Sequence, residues 1–225
     1  MSKSAAMARD VKRKYGGIGA GRRVSERRAK LLAAGLQAFG TKGFAGSSVK
    51  EICGLAGLTE RYFYESFANK EDLLRCVYHG LVEDLVQSAE QILKSGGSRE
   101  DPAMALVRLF FETLRDDPRI ARVLYFEVLG VSPAIDAAYR EGTRKMIQVV
   151  KETVATAFPG MDEQFLERSI ITTGLAGAVN LILMRWVLEG FSPPLETMLD
   201  EAALLLEKVR RAGFLTRIIH DGFRD

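Results

Sequence analysis

The stretch from Ser48 to Leu74, SVKEICGLAGLTERYFYESFANKEDLL, constrains the fold of this chain more than any other. It holds three helix starts in quick succession. Ser48-Val49-Lys50-Glu51 is a capping box, in which a hydroxyl and an acid three residues apart satisfy the first free N–H groups of a helix. Thr59 stands before a second segment, Glu60 to about Phe67. Asn69-Lys70-Glu71-Asp72 opens a third, again with an acid at its third helical position. Gly57 lies between the first two, where a tight turn needs a small residue or a positive φ. The inward residues are Val49, Ile52, Cys53 and Ala56 in the first segment, and Phe63 and Phe67 in the second. Two short helices crossing on a glycine turn are a helix-turn-helix. A long helix follows to about Lys94, with Leu74, Val77, Leu81 and Leu85 inward.

The flanking sequence supports that reading. Ser25 caps a helix running to about Gly40, with Ala29, Leu32, Leu36 and Phe39 inward and Arg27, Arg28 and Lys30 on its polar side. Residues 1–24 are basic and interrupted by the glycine-rich run 16–21, so a flexible basic arm is expected there. That run is not a dinucleotide fingerprint, because no strand precedes it and Arg22 stands where the third glycine belongs. The net charge of +3 hides a split: residues 1–75 carry 15 Lys/Arg against 7 Asp/Glu, and residues 76–225 carry 17 against 22. A basic N-terminal third on an acidic remainder is the footprint of a nucleic-acid-binding head on a body that avoids DNA.

Other classes fit poorly. Two cysteines, Cys53 and Cys76, are too few for a disulfide framework and point to a reducing compartment. The most apolar run, Ile170 to Met184, stops at Arg185 and contains Asn180, so a buried helix is expected there and not a membrane span. No signal-peptide-like apolar stretch is seen near the N-terminus, and a cytoplasmic protein is expected. His79 and His220, the only histidines, sit in unrelated segments, and no nucleophile–base or metal-ligand spacing has supporting context. No catalytic residue, cofactor or metal site is expected; a small helical enzyme is the weakest reading.

The segment 48–74, with the upstream stretch ending Ala38-Phe39-Gly40-Thr41-Lys42-Gly43-Phe44, closely resembles the DNA-binding domain of TetR-type transcriptional regulators. The resemblance is tight over residues 25–75. It implies an all-α chain of about nine helices: a DNA-binding head over 25–72 and a helical effector-binding and dimerisation domain over 73–225. It places Ser48 and Tyr64 on phosphates and Lys70 at the start of the fourth helix, in the position of a family lysine. Thr59 reaches phosphate, and Glu60, Arg61 and Tyr62 fall at base-reading positions. Arg61 is the best candidate for a bidentate bond to guanine. The chain departs from the commoner family pattern at Glu60, Arg61 and Tyr62, where Lys, Gly and Thr are frequent. Glu65 and Ser66 also replace the usual aromatic or His pair. The operator sequence therefore does not carry over.

The remainder reads as helices over Asp101–Arg115, Pro118–Gly130, Ala134–Phe158, Asp162–Leu188 and Pro194–Ala212, the last closed by Gly213. In the family the final two long helices meet their symmetry mates as a four-helix bundle. Thr172, Thr173, Gly174, Ala176, Gly177 and Ala178 are small enough for close approach. Leu181, Leu199, Ala202, Ala203 and Leu206 add the apolar contacts of a homodimer. By the same resemblance an effector cavity lies among the fourth to eighth helices. Phe110, Phe111, Leu114, Tyr125, Phe126, Tyr139, Met146, Met184 and Trp186 are its candidate lining, and a hydrophobic or amphipathic small molecule its ligand. The leading expectation is a repressor that an effector releases from a palindromic double-stranded operator. An activator and an effector-independent architectural protein are the alternatives.

Overall fold

A computed structural model describes the backbone of residues 3–95, 101–157 and 169–221, and the side chains of 21–95, 101–157, 173, 174 and 176–208. Among the described residues the chain is helical and has no strand. The helices are α1 (Lys3–Thr41), α2 (Val49–Ala56), α3 (Glu60–Ser66), α4 (Lys70–Lys94), α5 (Pro102–Asp116), α6 (Pro118–Arg122), α7 (Pro133–Ala157), α8 (Ser169–Leu188) and α9 (Leu195–Asp221). A π-helical segment, Val123–Glu127, follows α6 directly. The expected end of α7 at Phe158 and start of α8 at Asp162 lie outside the described residues.

The chain divides into two units, Met1–Tyr78 and His79–Asp225. The boundary falls inside α4, six residues beyond the expected one, because Leu73, Leu74, Val77 and Tyr78 are all buried in the first unit. Its core is Leu31, Ala34, Ala38 and Phe39 of α1, Ile52 and Cys53 of α2, Phe63 and Phe67, and those residues of α4. The inward stripe of α1 is therefore not the expected one. Ala29 is exposed and Leu32 and Leu36 are only half-buried. The run AKLLAAGLQAF, residues 29–39, is so rich in apolar residues that it offers two overlapping stripes at 3–4 spacing, and tertiary packing chooses between them. Gly35 decides the matter locally. A Cβ there would lie 3.0 Å from Leu73 Cδ2, so α1 and α4 approach across a residue with no side chain.

α1 also starts at Lys3, not at Ser25, and the glycine run does not break it. Glycine costs a helix about 1 kcal/mol per residue but keeps its N–H, whereas proline removes it. No proline precedes Pro102. The same reasoning covers α9, which continues to Asp221 past the expected stop at Gly213.

In the second unit one core joins Phe111 and Leu114 of α5, Ala121 of α6, Leu183 and Trp186 of α8, and Leu195 and Leu199 of α9. Trp186 is its centre. Its ring lies 5.0 Å from Phe111 and 5.1 Å from Phe191, and its Nε1–H donates to Pro193 O at 2.7 Å. A smaller cluster joins Ala89 of α4, Leu106 of α5 and Val149 of α7, and Lys145 pairs with Glu83 at 3.0 Å beside them. The expected single helix from Pro118 to Gly130 instead widens into the π segment. Arg122 Nε meets Glu127 Oε1 at 2.8 Å, five residues on. An α-helix would set such a pair about 140° apart, so the wider turn suits it. Trp186→Ala is expected to lower stability by about 3–5 kcal/mol, read as a fall in the urea midpoint with helix content otherwise retained.

Candidate nucleic-acid interface

The helix-turn-helix is built by local chemistry that the sequence announces. Ser48 is the N-cap of α2, in extended conformation, and its Oγ accepts from Glu51 N at 3.2 Å. The Glu51 carboxylate is held below its ordinary value mainly by a hydrogen bond from Lys42. Burial opposes this, and the charge of Lys42 and the Ser48 backbone N–H add to it. The capping box is thus closed, with Lys42 of the preceding loop as a third member. At the other end Gly57 adopts the left-handed conformation, φ 63°, and its N–H reaches the carbonyls of Cys53 and Gly54. Leu58 N follows onto Cys53 O at 2.9 Å, which turns the chain sharply into α3. Asn69 and Asp72 form a reciprocal cap for α4. Asn69 Oδ1 accepts from Asp72 N at 2.8 Å, and Asp72 Oδ2 accepts from Ala68 N at 3.1 Å. Burial pushes the Asp72 carboxyl up. The Arg75 hydrogen bond, the Ala68 N–H and the charges of Arg75 and Arg28 outweigh it and leave the pKa lowered.

α3 has two faces. Phe63 and Phe67 are buried, 5.7 Å apart ring to ring. Thr59, Glu60, Arg61 and Tyr64 are exposed. Thr59 holds the N-cap position, but its hydroxyl makes no capping bond, so the hydroxyl is not spent on the helix. Arg61 projects with its side chain 84% exposed, its Nε 3.1 Å from Glu65 Oε1. Tyr64 stands out from the edge of Phe63. Ser48 is also exposed at the start of α2. Of the residues expected to touch DNA, these five share an outward position and two do not. Tyr62 is half-buried, with the Arg27 guanidinium stacked 4.3 Å over its ring. Lys70 is half-buried, donates from Nζ to Phe44 O at 2.6 Å and Ser47 O at 2.7 Å, and lies 4.2 Å over the Phe44 ring. Its ammonium ties the start of α4 to the loop before α2 and keeps one further N–H.

Sequence reasoning missed Arg28. Placed on the polar side of α1, it instead donates to Ser66 O at 2.9 Å and Cys76 Sγ at 3.3 Å and stacks 4.4 Å over Phe67. A cation at the last carbonyls of α3 is favourable by the helix dipole. No one-helix pattern signals this, since its partners are 38 and 48 residues away. Cys53 is buried on α2; burial and then the charge of Glu60 push its thiol pKa up.

The expected effector-lining residues separate into three groups. Phe111, Leu114 and Trp186 are fully packed in the core of the second unit, with Phe110 and Tyr125 against it. Tyr139, Met146 and Met184 are half-buried, and Phe126 is exposed. None of the nine lines the cleft of about 530 Å³ between Glu90, Leu93 and Lys94 of α4 and Glu152, Ala155 and Thr156 of α7. Of the expected dimer residues, Thr173, Gly174, Gly177, Leu181 and Ala203 are exposed, and Ala202 and Leu206 half-buried. Leu199 is 3% exposed and packs in the Trp186 core, so it belongs to the protomer interior and not to a surface. It faces inward because α9 has apolar residues on both sides, and spacing alone does not say which side meets α5. The side chain of Thr172 lies outside the described residues.

A capped two-helix motif with an outward polar recognition face defines a helix-turn-helix DNA-binding regulator of transcription. Residues 31–77 match the model for bacterial regulatory proteins of the tetR family. Over those residues the chain carries the DNA-binding domain of the TetR family of transcriptional regulators. It is 26% identical over 149 residues to the HTH-type transcriptional activator FasR of Mycolicibacterium smegmatis, covering 65% of this chain and 68% of FasR. It is 24% identical over 188 residues to the HTH-type transcriptional regulator YdgC of Bacillus subtilis, covering 80% and 91%. Its fold matches FadR from Bacillus subtilis, solved in complex with stearoyl-CoA, with a TM-score of 0.67 at 17% identity over 79% of this chain and 96% of that one. Among the described residues no helix is long and apolar enough to cross a membrane.

Lys70→Ala removes a charged donor from two loop carbonyls. It is expected to cost the first unit about 2 kcal/mol, read by urea denaturation without DNA. Unchanged stability with weakened DNA binding would confine Lys70 to phosphate contact.

Proposed function

We propose that this regulator is a cytoplasmic homodimeric repressor, which reads a palindromic operator through α3 and leaves it when an amphipathic effector binds the second unit. The observation that carries the DNA reading is the outward face of α3, with Thr59, Glu60, Arg61 and Tyr64 exposed while Phe63 is buried beneath. In this reading Ser48, Thr59 and Tyr64 sit on phosphates, Arg61 bonds a guanine edge, and Glu60 accepts from a cytosine amine. Tyr62 contributes its hydroxyl edge, and Lys70 offers its remaining N–H to a phosphate. The basic first half of α1, residues 3–24, follows the phosphates alongside.

Dimerisation is supported by α8, whose sequence SIITTGLAGAVNLILMRWVL is apolar nearly all round. Leu183 and Trp186 bury one side, while Gly174, Gly177, Leu181, Ile182 and Leu188 are exposed on the rest. On α9, Leu204 and Leu205 are also exposed. A helix of this kind is buried on both sides in the finished assembly. The two-fold axis brings two recognition helices to major grooves about 34 Å apart. An acyl-chain effector is supported by the stearoyl-CoA in the FadR complex and by the aromatic interior of the second unit. Its effect on DNA needs unequal affinity for the operator-bound and released states.

The test is a titration of the dimer against genomic fragments, its own upstream region included, at several salt concentrations. Arg61→Ala is expected to erase the preference for the best fragment, a loss of about tenfold or more, with nonspecific binding kept. Stearoyl-CoA is expected to release that fragment, and a reporter placed behind it reads the sign of regulation. No fragment above the nonspecific level would end the operator reading. Leu181→Glu places a charge on an exposed position, so it spares the protomer core. It is expected to give folded monomers by sedimentation; an unchanged dimer would move the interface off α8.

A further inference from the structure

Two groups outside the expected base readers, Glu65 and Arg27, are linked to Arg61. Glu65 Oε1 takes the Arg61 Nε at 3.1 Å, and Glu65 Oε2 faces Arg27 Nη2 at 3.8 Å. Arg27 in turn lies 4.3 Å over the Tyr62 ring. One carboxylate thus serves two guanidiniums, one on α3 and one on α1. The side chain of Arg27 is 26% exposed and that of Arg61 84%, so the chain of contacts runs from a held residue to a projecting one.

Helix energetics do not account for this arrangement. An acid N-terminal to its basic partner is the favourable order at this spacing, and here the order is reversed. Arg61 also stands at the second position of α3, where a cation opposes the helix dipole. An arginine kept at an adverse place suits a side chain whose partner is outside the helix. Its use there depends on geometry. A bidentate bond to guanine O6 and N7 needs two parallel N–H groups in one plane. A bond through Nε restrains that plane and leaves both Nη groups without a hydrogen bond among the described residues. An unsupported arginine loses several rotamers' worth of freedom on binding; a supported one has lost part of it already.

We infer that Glu65 is a positioning residue for base reading: held by Arg27 of α1, it fixes the guanidinium plane of Arg61 for a guanine. This rests on the reading of Arg61 as a base contact. Glu65 carries negative charge on a face that meets phosphates, so it weakens sequence-independent binding while sharpening sequence-dependent binding. That opposition separates positioning from a merely structural role, which would move both in one direction.

The test uses full-length protein and the best duplex from the genomic titration, with each half-site guanine replaced in turn by 7-deazaguanine, which lacks the N7 acceptor. For wild type, one replacement is expected to cost about tenfold in affinity. Arg61→Ala is expected to be insensitive at that position. Glu65→Ala is expected to show less than about a third of the wild-type sensitivity while binding unrelated duplex as tightly as wild type or tighter. Glu65→Gln keeps an acceptor for Arg61 Nε and is expected to restore most of the sensitivity. If Arg61→Ala is insensitive but Glu65→Ala keeps the full wild-type response, the positioning role is wrong and the base contact stands. If Arg61→Ala responds like wild type, Arg61 reads no guanine and the inference falls with it. Thermal melting of each variant separates these results from unfolding; should Glu65→Ala unfold, Arg27→Gln decides, since it breaks the link to α1 and leaves the carboxylate in place: a lowered sensitivity is expected, and the full wild-type response would overturn the positioning role.

Discussion

α3 is seven residues long, and a helix of two turns has no stability of its own. Its direction comes from what grips it. Phe63 and Phe67 lock its inner face, and Arg28 closes its end by bonding Ser66 O while lying on the Phe67 ring. The same guanidinium reaches Cys76 on α4. One side chain of α1 therefore fixes the C-terminal end of α3 to the helix that follows it. The N-terminal end is fixed differently, by Gly57 and the bond of Leu58 N to Cys53 O. With both ends determined by groups that face inward, the outward residues are at liberty to vary with the DNA they meet. That separation explains how the chain departs from the commoner family pattern at Glu60, Arg61 and Tyr62 without losing the motif.

The excess of positive charge in the N-terminal third is smaller, as DNA sees it, than the count of basic residues. Arg27, Arg28, Lys42 and Lys70 are engaged with protein carbonyls, carboxylates or rings. Arg22, Arg61 and Arg75 are exposed but paired with carboxylates, whereas Arg23, Lys30 and Lys50 are exposed and have no carboxylate partner among the described residues. A cation already neutralised by a carboxylate releases few counterions on binding, so the salt slope follows Arg23, Lys30 and Lys50 more than the others. Charge composition thus located the nucleic-acid-binding unit correctly and says little about which residue meets which phosphate.

What was legible in the sequence was local. The caps of α2 and α4, the glycine turn and the 3–4 spacing of Phe63 and Phe67 involve residues within one turn of each other and stand where they were expected, whereas Ser25 lies inside α1 and Thr59 holds its position without a capping bond. The phase of α1 was not legible, because Leu31, Ala34 and Ala38 compete with Ala29, Leu32 and Leu36 as equally regular stripes. Nor was the fate of Leu199, since α9 is apolar on two sides and only the position of Trp186 selects between them. Arg28 and Lys70 illustrate the other limit. A charged residue beside an apolar stripe reads as solvated, yet each of these spans 23 to 48 residues to reach its partners. Glycine misled in the opposite direction. It was read as a breaker at 16–21 and at Gly213, where the backbone stays helical, and as a turn at Gly57, where a positive φ makes it one.

The surface of α8 links these local matters to the way such a protein acts. Gly174 and Gly177 are exposed with nothing within 4 Å of where a Cβ would stand, so among the described residues no neighbour requires them to be small. Leu181 and Leu188 are 59% and 65% exposed on the same helix. Residues that are small next to residues that are large and bare describe a surface shaped for another helix at close range. In the proposed dimer that surface does more than hold two chains together. A single recognition helix makes few base contacts, and its affinity is modest. Tethering two heads makes the second contact intramolecular, with a gain set by how well their separation matches the groove spacing. The same coupling makes the operator sensitive to the second unit. A ligand there need not touch α3; a small change in the angle between two protomers forfeits the gain from tethering and leaves two weak binders.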